Sequence, residues 1–276
     1  MKTVPISSTI LIILLTSVFL TQAQTPQTEE SSTKRRPYLG VRSGMVSSAS
    51  ADLLYSPLVY TGKSIGIGLV FGKEKSRSAS ETSIYYHRTT KSPSTLENQI
   101  RSFERGHFLL EKQSFNLKIR NYRRYSIPGT ESLGLKLYFS GLWFTSINIT
   151  TNAMGLPELV QTGLAPGFCA VQRVGHHQIS LDAHVSLLSL SIRNNYSMSA
   201  TQTYERFSKL NFIRQNIRLQ SAFSDRQVFA RLSYQYPIGR ALHASAAYEF
   251  GYLHNTLPKS LRSVEGFYSL SILYKK

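Results

Sequence analysis

Cysteine is nearly missing from this chain: Cys169 is the only one in 276 residues, so no intramolecular disulfide can staple the fold. Long apolar runs are missing as well. Past the amino-terminal segment nothing approaches 18 consecutive apolar residues, which excludes helical membrane spans. Acidic residues are scarce, 15 Asp and Glu against 32 Lys and Arg, for a formal net charge of +17. In a cytosolic protein that excess would point to nucleic acid. Here the aromatics alternate with aliphatic residues and do not form a basic stacking groove. A nucleotide loop is excluded too, because the glycines of "SIGIGLVFG" alternate with apolar residues within a strand and no helix follows.

What is present begins with an export signal. "MKTVPISSTILIILLTSVFLTQAQ" has one charge at Lys2, a mostly apolar run from Ile10 to Leu20, and small or polar residues at Thr21, Gln22 and Ala23. This is the layout of a secretory signal peptide over residues 1–23. Its apolar core, about eleven residues, is short of the roughly 20 that span a bilayer. Export removes nucleic acid as a partner. Residues 24–37, "QTPQTEESSTKRRP", are polar and aperiodic and read as a flexible periplasmic leader. From residue 38 to 276 there is no second linker and no break in composition, so a single domain is expected.

That domain repeats one pattern. In "SFNLKIRNYRRY", Phe115, Leu117 and Ile119 alternate with Asn116, Lys118 and Arg120. The stretches "KSIGIGLVFGK", "HQISLDAHVSLLS", "RQVFARLSYQY", "RALHASAAYEFGY" and "GFYSLSILYKK" repeat it, with Phe229 as an exception. A period of two places alternate side chains on opposite faces of a strand. The segments run about 10 to 16 residues, longer than the usual 5 or 6 of a globular strand and sufficient for the 9 to 11 that cross a bilayer obliquely. Tyr38, Tyr122, Tyr236, Tyr252 and Tyr274 fall near segment ends, where an interfacial girdle would place them. The expected fold is all-β, an up-and-down antiparallel transmembrane β-barrel, in preference to a soluble sandwich.

Segments near 38–47, 62–73, 79–90, 111–123, 131–146, 160–174, 177–192, 207–222, 226–236, 241–253 and 264–274 make eleven strands. Single-chain bacterial barrels have an even number, so that both ends finish in the periplasm. Twelve strands are favoured, with "GLWFTSINIT" as the β-prone remainder, and ten is the alternative. Short connections such as 74–78, 124–130 and "PIGR" are expected on the periplasmic side. Longer ones, 48–61, 91–110 and 254–263, are expected outside.

The openings "YLGVRSGM" and "GKSIGIGLVFG", the stretch "ISLDAHVSLLSLSI", and the closing "LSYQYPIGRALHASAAYEFGYL" with "GFYSLSILYKK" resemble the small bacterial outer-membrane β-barrel proteins, PorT-like members included. The resemblance covers most of the mature chain and is one of pattern. It implies an up-and-down barrel in the outer membrane and says little about activity. Many such barrels end on an aromatic residue; here Lys275 and Lys276 follow Tyr274.

In this fold the inward charged set is Lys118, Arg120, Lys136, Arg214, Arg218 and Arg231, with Asp182 and Glu249 as counter-charges and His184 beside them. The lipid-facing set is Phe115, Leu117, Ile119, Tyr268, Leu270, Ile272 and Tyr274. A salt-bridge network plugging a narrow lumen is favoured over a conducting pore. Asp182, His184 and His243 could be imagined as a hydrolase site, but no motif supports one and no enzyme, cofactor or metal is expected. His176 and His177 are adjacent, which on a strand sends them to opposite faces, and Cys169 reads as a small apolar filler. Basic loop residues would pair with lipopolysaccharide phosphates, so outer-membrane lipid, lipopolysaccharide and other envelope proteins are the expected partners. The functional expectation is a structural or accessory barrel serving the envelope or secretion. A small anion-preferring pore and a lipid-modifying enzyme are the alternatives.

Overall fold

The computed structural model describes residues 36–52, 56–93, 112–130, 134–150, 157–193, 217–256 and 260–276. The signal peptide, residues 24–35 of the leader, and Arg214 lie outside the described residues. Twelve strands form one antiparallel sheet: β1 (Arg36–Asp52), β2 (Ser56–Glu74), β3 (Ser78–Pro93), β4 (Lys112–Ser126), β5 (Leu135–Thr150), β6 (Pro157–Val174), β7 (His177–Val185), β8 (Leu188–Arg193), β9 (Ile217–Ser221), β10 (Asp225–Pro237), β11 (Leu242–Asn255) and β12 (Leu261–Lys275). Strands β1 to β7 pair in sequence, β7 pairs with β10, and β10 to β12 return to β1. Ten strands therefore close a barrel. Strands β8 and β9 are short additions to that order: β8 continues β7 along the same edge of β6, and β9 pairs with β8.

Twelve strands are present, and ten of them make the barrel, but the division differs from the sequence expectation. "GLWFTSINIT" is the second half of β5 and not an additional strand. The extra strand comes from the 177–192 segment, which breaks at Ser186 and Leu187. Along β6, Gly167 faces His184 while Leu164 faces Leu188, so the second chain advances four residues against three. One residue is inserted, which is a β-bulge. The cause is visible in the sequence Ser186-Leu187-Leu188-Ser189: strict alternation would turn one leucine into the lumen. With the bulge, Leu187 and Leu188 are both exposed on the outer face and both serines are buried.

Both ends of the described barrel, Arg36 and Lys276, lie at one rim together with the turns 75–77, 175–176 and 238–241 and the facing ends of β4 and β5. The strand ends Asp52 and Ser56, Pro93 and Lys112, Thr150 and Pro157, Arg193 and Ile217, and Asn255 and Leu261 lie at the other. Gly175, with φ of 58°, supplies the left-handed residue that the two-residue β6–β7 turn requires. By the short-turn rule, the rim with the chain ends is periplasmic.

The two faces separate as the alternation demands. Leu39, Val41, Ile65, Ile67, Leu69, Leu270 and Ile272 are exposed on the outside. On the inner face of β2, glycine recurs at residues 62, 66, 68 and 72, and the space is taken by neighbouring side chains and backbone, with aromatic rings at 66 and 72. A Cβ on Gly68 would lie 2.7 Å from Cβ of Tyr85, one on Gly66 3.2 Å from the Phe267 ring, and one on Gly72 2.6 Å from the Tyr38 hydroxyl. The girdle expectation needs correction at two positions. Tyr38 and Tyr122 are buried inward, whereas Tyr236 and Tyr274 are exposed outside and Tyr252 partly so. Tyr38 turns in because its hydroxyl donates to Glu81 Oε2 at 3.0 Å, a partner lipid cannot offer.

Candidate functional site

The lumen is the candidate site, and its centre is Glu249 on β11. Glu249 Oε1 accepts from Arg42 Nη2 on β1 at 2.7 Å, and its Oε2 accepts from Arg120 Nη1 on β4 at 2.5 Å. Arg231 on β10 approaches Oε1 with Nε at 3.7 Å and donates through Nη1 to Glu81 on β3. Five strands of the barrel are thus tied across the interior through two carboxylates. On the periplasmic side of this centre, Arg124 makes a bidentate pair with Asp182, both contacts 2.9 Å. On the opposite side, Lys118 pairs with Glu265, which lies 3.6 Å from Nε2 of His87. Planar guanidinium groups suit such forked contacts.

Aromatic rings fill the gaps between the charges. The Arg42 guanidinium lies 4.7 Å from the Phe267 ring centre and 5.5 Å from that of Tyr85. Arg120 sits 5.6 Å from Tyr85 and 5.4 Å from Phe229, and Arg231 sits 5.7 Å from Tyr122. Cations held over ring faces in a water-poor interior gain from the ring quadrupole. Phe229, the exception to the alternation of β10, belongs here: it packs on Phe144 at 4.9 Å between centres, as part of this plug. Beyond the plug, toward the rim of long connections, a cavity of about 120 Å³ remains, bordered by Ser48, Asn116, Asn148, Gln161 and Gln227 and floored by Lys118, Arg120 and Glu265.

Of the residues singled out in the sequence, Lys118, Arg120, Asp182, His184, Arg231 and Glu249 project inward and meet in or beside this network. Lys136 sits nearer the periplasmic rim, donating to the Ser76 carbonyl at 2.8 Å. Arg218 lies on β9 opposite Ser191 of β8, on the same face as the buried Gln220, and its side chain is exposed. Phe115, Leu117, Ile119, Tyr268, Leu270, Ile272 and Tyr274 occupy the outer face. Arg42, Glu81, Arg124 and Glu265 escaped the sequence reading, though each sits at the inward parity of its strand. Arg42, between Val41 and Ser43, carried that signal.

The imagined hydrolase residues are engaged separately. Asp182 is held by Arg124, and Nε2 of His184 is 2.8 Å from the Ser140 hydroxyl. His177 lies tilted beside Tyr236 at the rim, 5.1 Å between ring centres, and its Nδ1 lies 2.7 Å from the Tyr234 hydroxyl. Cys169 is buried against Tyr138 and Val171. Among the described residues, no group of three metal-ligating side chains occurs.

A closed sheet leaves no unpaired edge within the ring, and here it carries an apolar exterior around an ionic interior. That is the form in which strands cross a lipid bilayer. The described ring strands other than β7 run 13 to 19 residues, more than the 9 to 11 a tilted crossing needs. The protein is an outer-membrane β-barrel.

No protein-family model matches the chain, and no curated protein does. Among solved structures, the chain is similar to Neisserial surface protein A, NspA, with 9% identity and a TM-score of 0.37, over 86% of this chain and 97% of that one. It is similar to the outer membrane protease OmpT from Escherichia coli, with 7% identity and a TM-score of 0.45, over 91% and 99%. It is also similar to the translocator domain of autotransporter NalP from Neisseria meningitidis, with 9% identity and a TM-score of 0.38, over 97% and 95%.

Proposed function

We propose that the protein is a structural or accessory barrel of the bacterial outer membrane, serving the envelope or a secretion apparatus, with a lumen closed by its own side chains. The observation that carries this reading is the junction at Glu249, where arginines from β1, β4 and β10 converge on one carboxylate from β11. A conducting lumen needs a continuous aqueous path, and here long side chains from facing walls meet at mid-height. The resemblance of "YLGVRSGM" and the closing stretches to PorT-like barrels favours the secretion side of the proposal. Catalysis is not part of it, because Asp182 and His184 bond to different partners. Outer-membrane lipid, lipopolysaccharide and neighbouring envelope proteins are the proposed partners.

The test has two parts. Purified protein in planar bilayers should show no steady conductance, and deletion of its gene should perturb envelope integrity or secretion while solute uptake stays unchanged. Steady anion-selective conductance would replace this reading with the pore. Altered lipid profiles in the deletion strain would replace it with a lipid-modifying enzyme.

A further inference from the structure

Three basic residues form one cross-strand row on the outer face. Arg226 of β10 faces His254 of β11, and His254 faces Arg262 of β12. Arg226 and Arg262 are exposed and His254 is half-buried, with Nε2 3.3 Å from the Ser260 hydroxyl. Arg226 and Arg262 stand on the strands either side of His254, so one outer face carries two guanidinium charges that a counter-charge would stabilise. Among the described side chains none supplies it: Glu81, Asp182, Asp225, Glu249 and Glu265 face the interior and Glu74 pairs with Lys275 at the periplasmic rim.

The height of the row is informative. Two residues toward the periplasm, the next outward row is Val228, Tyr252 and Val264, in matching register. Aliphatic residues beside a tyrosine mark the edge of an apolar belt, and the row of cations stands just beyond it. At that level the outer leaflet presents its headgroups. We infer that Arg226, His254 and Arg262 form a docking surface for the phosphate groups of a phosphorylated glycolipid in the outer leaflet. Two exposed guanidinium groups flanking the row match phosphate oxygens in charge and in fork geometry. The inference rests on the outer-membrane reading and makes one of its proposed partners specific to a place.

The experiment uses the full chain, folded in a non-ionic detergent, titrated with bisphosphorylated lipid A and followed by native mass spectrometry. Wild type should retain the lipid, the dephosphorylated lipid should be retained far less, and an Arg226→Gln/Arg262→Gln pair should weaken retention about tenfold. Inorganic phosphate in a parallel arm should not displace the lipid at equal concentration. Equal retention by the double variant, or of the dephosphorylated lipid, would overturn the docking surface, and displacement by inorganic phosphate would make it a site for soluble anions. Migration of unboiled and boiled samples on a gel reports barrel formation separately, so loss of lipid binding with an intact shift leaves the membrane barrel standing.

Discussion

Glu249 is 1% exposed and holds Arg42, Arg120 and Arg231. Replacing it with alanine leaves three guanidinium groups facing one another without their shared carboxylate, and removing one partner of a buried pair costs roughly 3 to 5 kcal/mol. Urea unfolding of Glu249→Ala in lipid vesicles should show that loss; an unchanged midpoint would mean the junction contributes nothing. On the other side of the same wall, Leu117→Arg puts a charge against lipid and should cost about 2 to 4 kcal/mol near the midplane. Lys118→Ser, one residue along, removes the inward partner of Glu265 and should leave membrane insertion intact. A like effect of both changes would contradict the opposite facing of neighbours. The alternation of β4 made this polarity legible, since Phe115, Leu117 and Ile119 could not share a face with Lys118 and Arg120.

Strand β2 shows what an element contributes. Its outer face, Ile65, Ile67, Leu69 and Phe71, was plain from the period of two, but its inner glycines looked like a blank. They are blank because the rings of Tyr38 and Phe267 and the backbone and side chains of β3 lie against β2 there. Gly68→Val would drive a methyl group into Tyr85 and the Ile84 carbonyl, and folding yield by unboiled gel migration should fall sharply. Overpacking of this kind costs typically 1 to 3 kcal/mol, more where backbone is the obstacle. At the β7–β8 bulge the expectation is one of parity. After Cys169→Ala, single cysteines at positions 185, 187, 188 and 190 should be reached by lipid-dissolved quenchers, and those at 186 and 189 should not. A regular strand would give 188 and 190 the opposite result.

For the molecule as a whole, closure decides which end of the sequence pattern is inside. The period of two, the export signal and the short and long connections were all readable along the chain, because each depends on residues near one another in sequence. They determined an all-β barrel, its outer face, and the rim at which both ends of the barrel lie. Which strands close the ring was not readable. Strand β9 alternates no differently from a ring strand, and its pairing with β8 while β10 pairs with β7 follows from the turn at 222–224 that carries the chain to Asp225. The partners of each inward charge were hidden for the same reason: Arg42 and Glu249 are 207 residues apart, and Arg231 and Glu81 are 150. Alternation says only that a side chain points inward. What it meets there depends on strand order, register and barrel width, and those are set when the sheet closes.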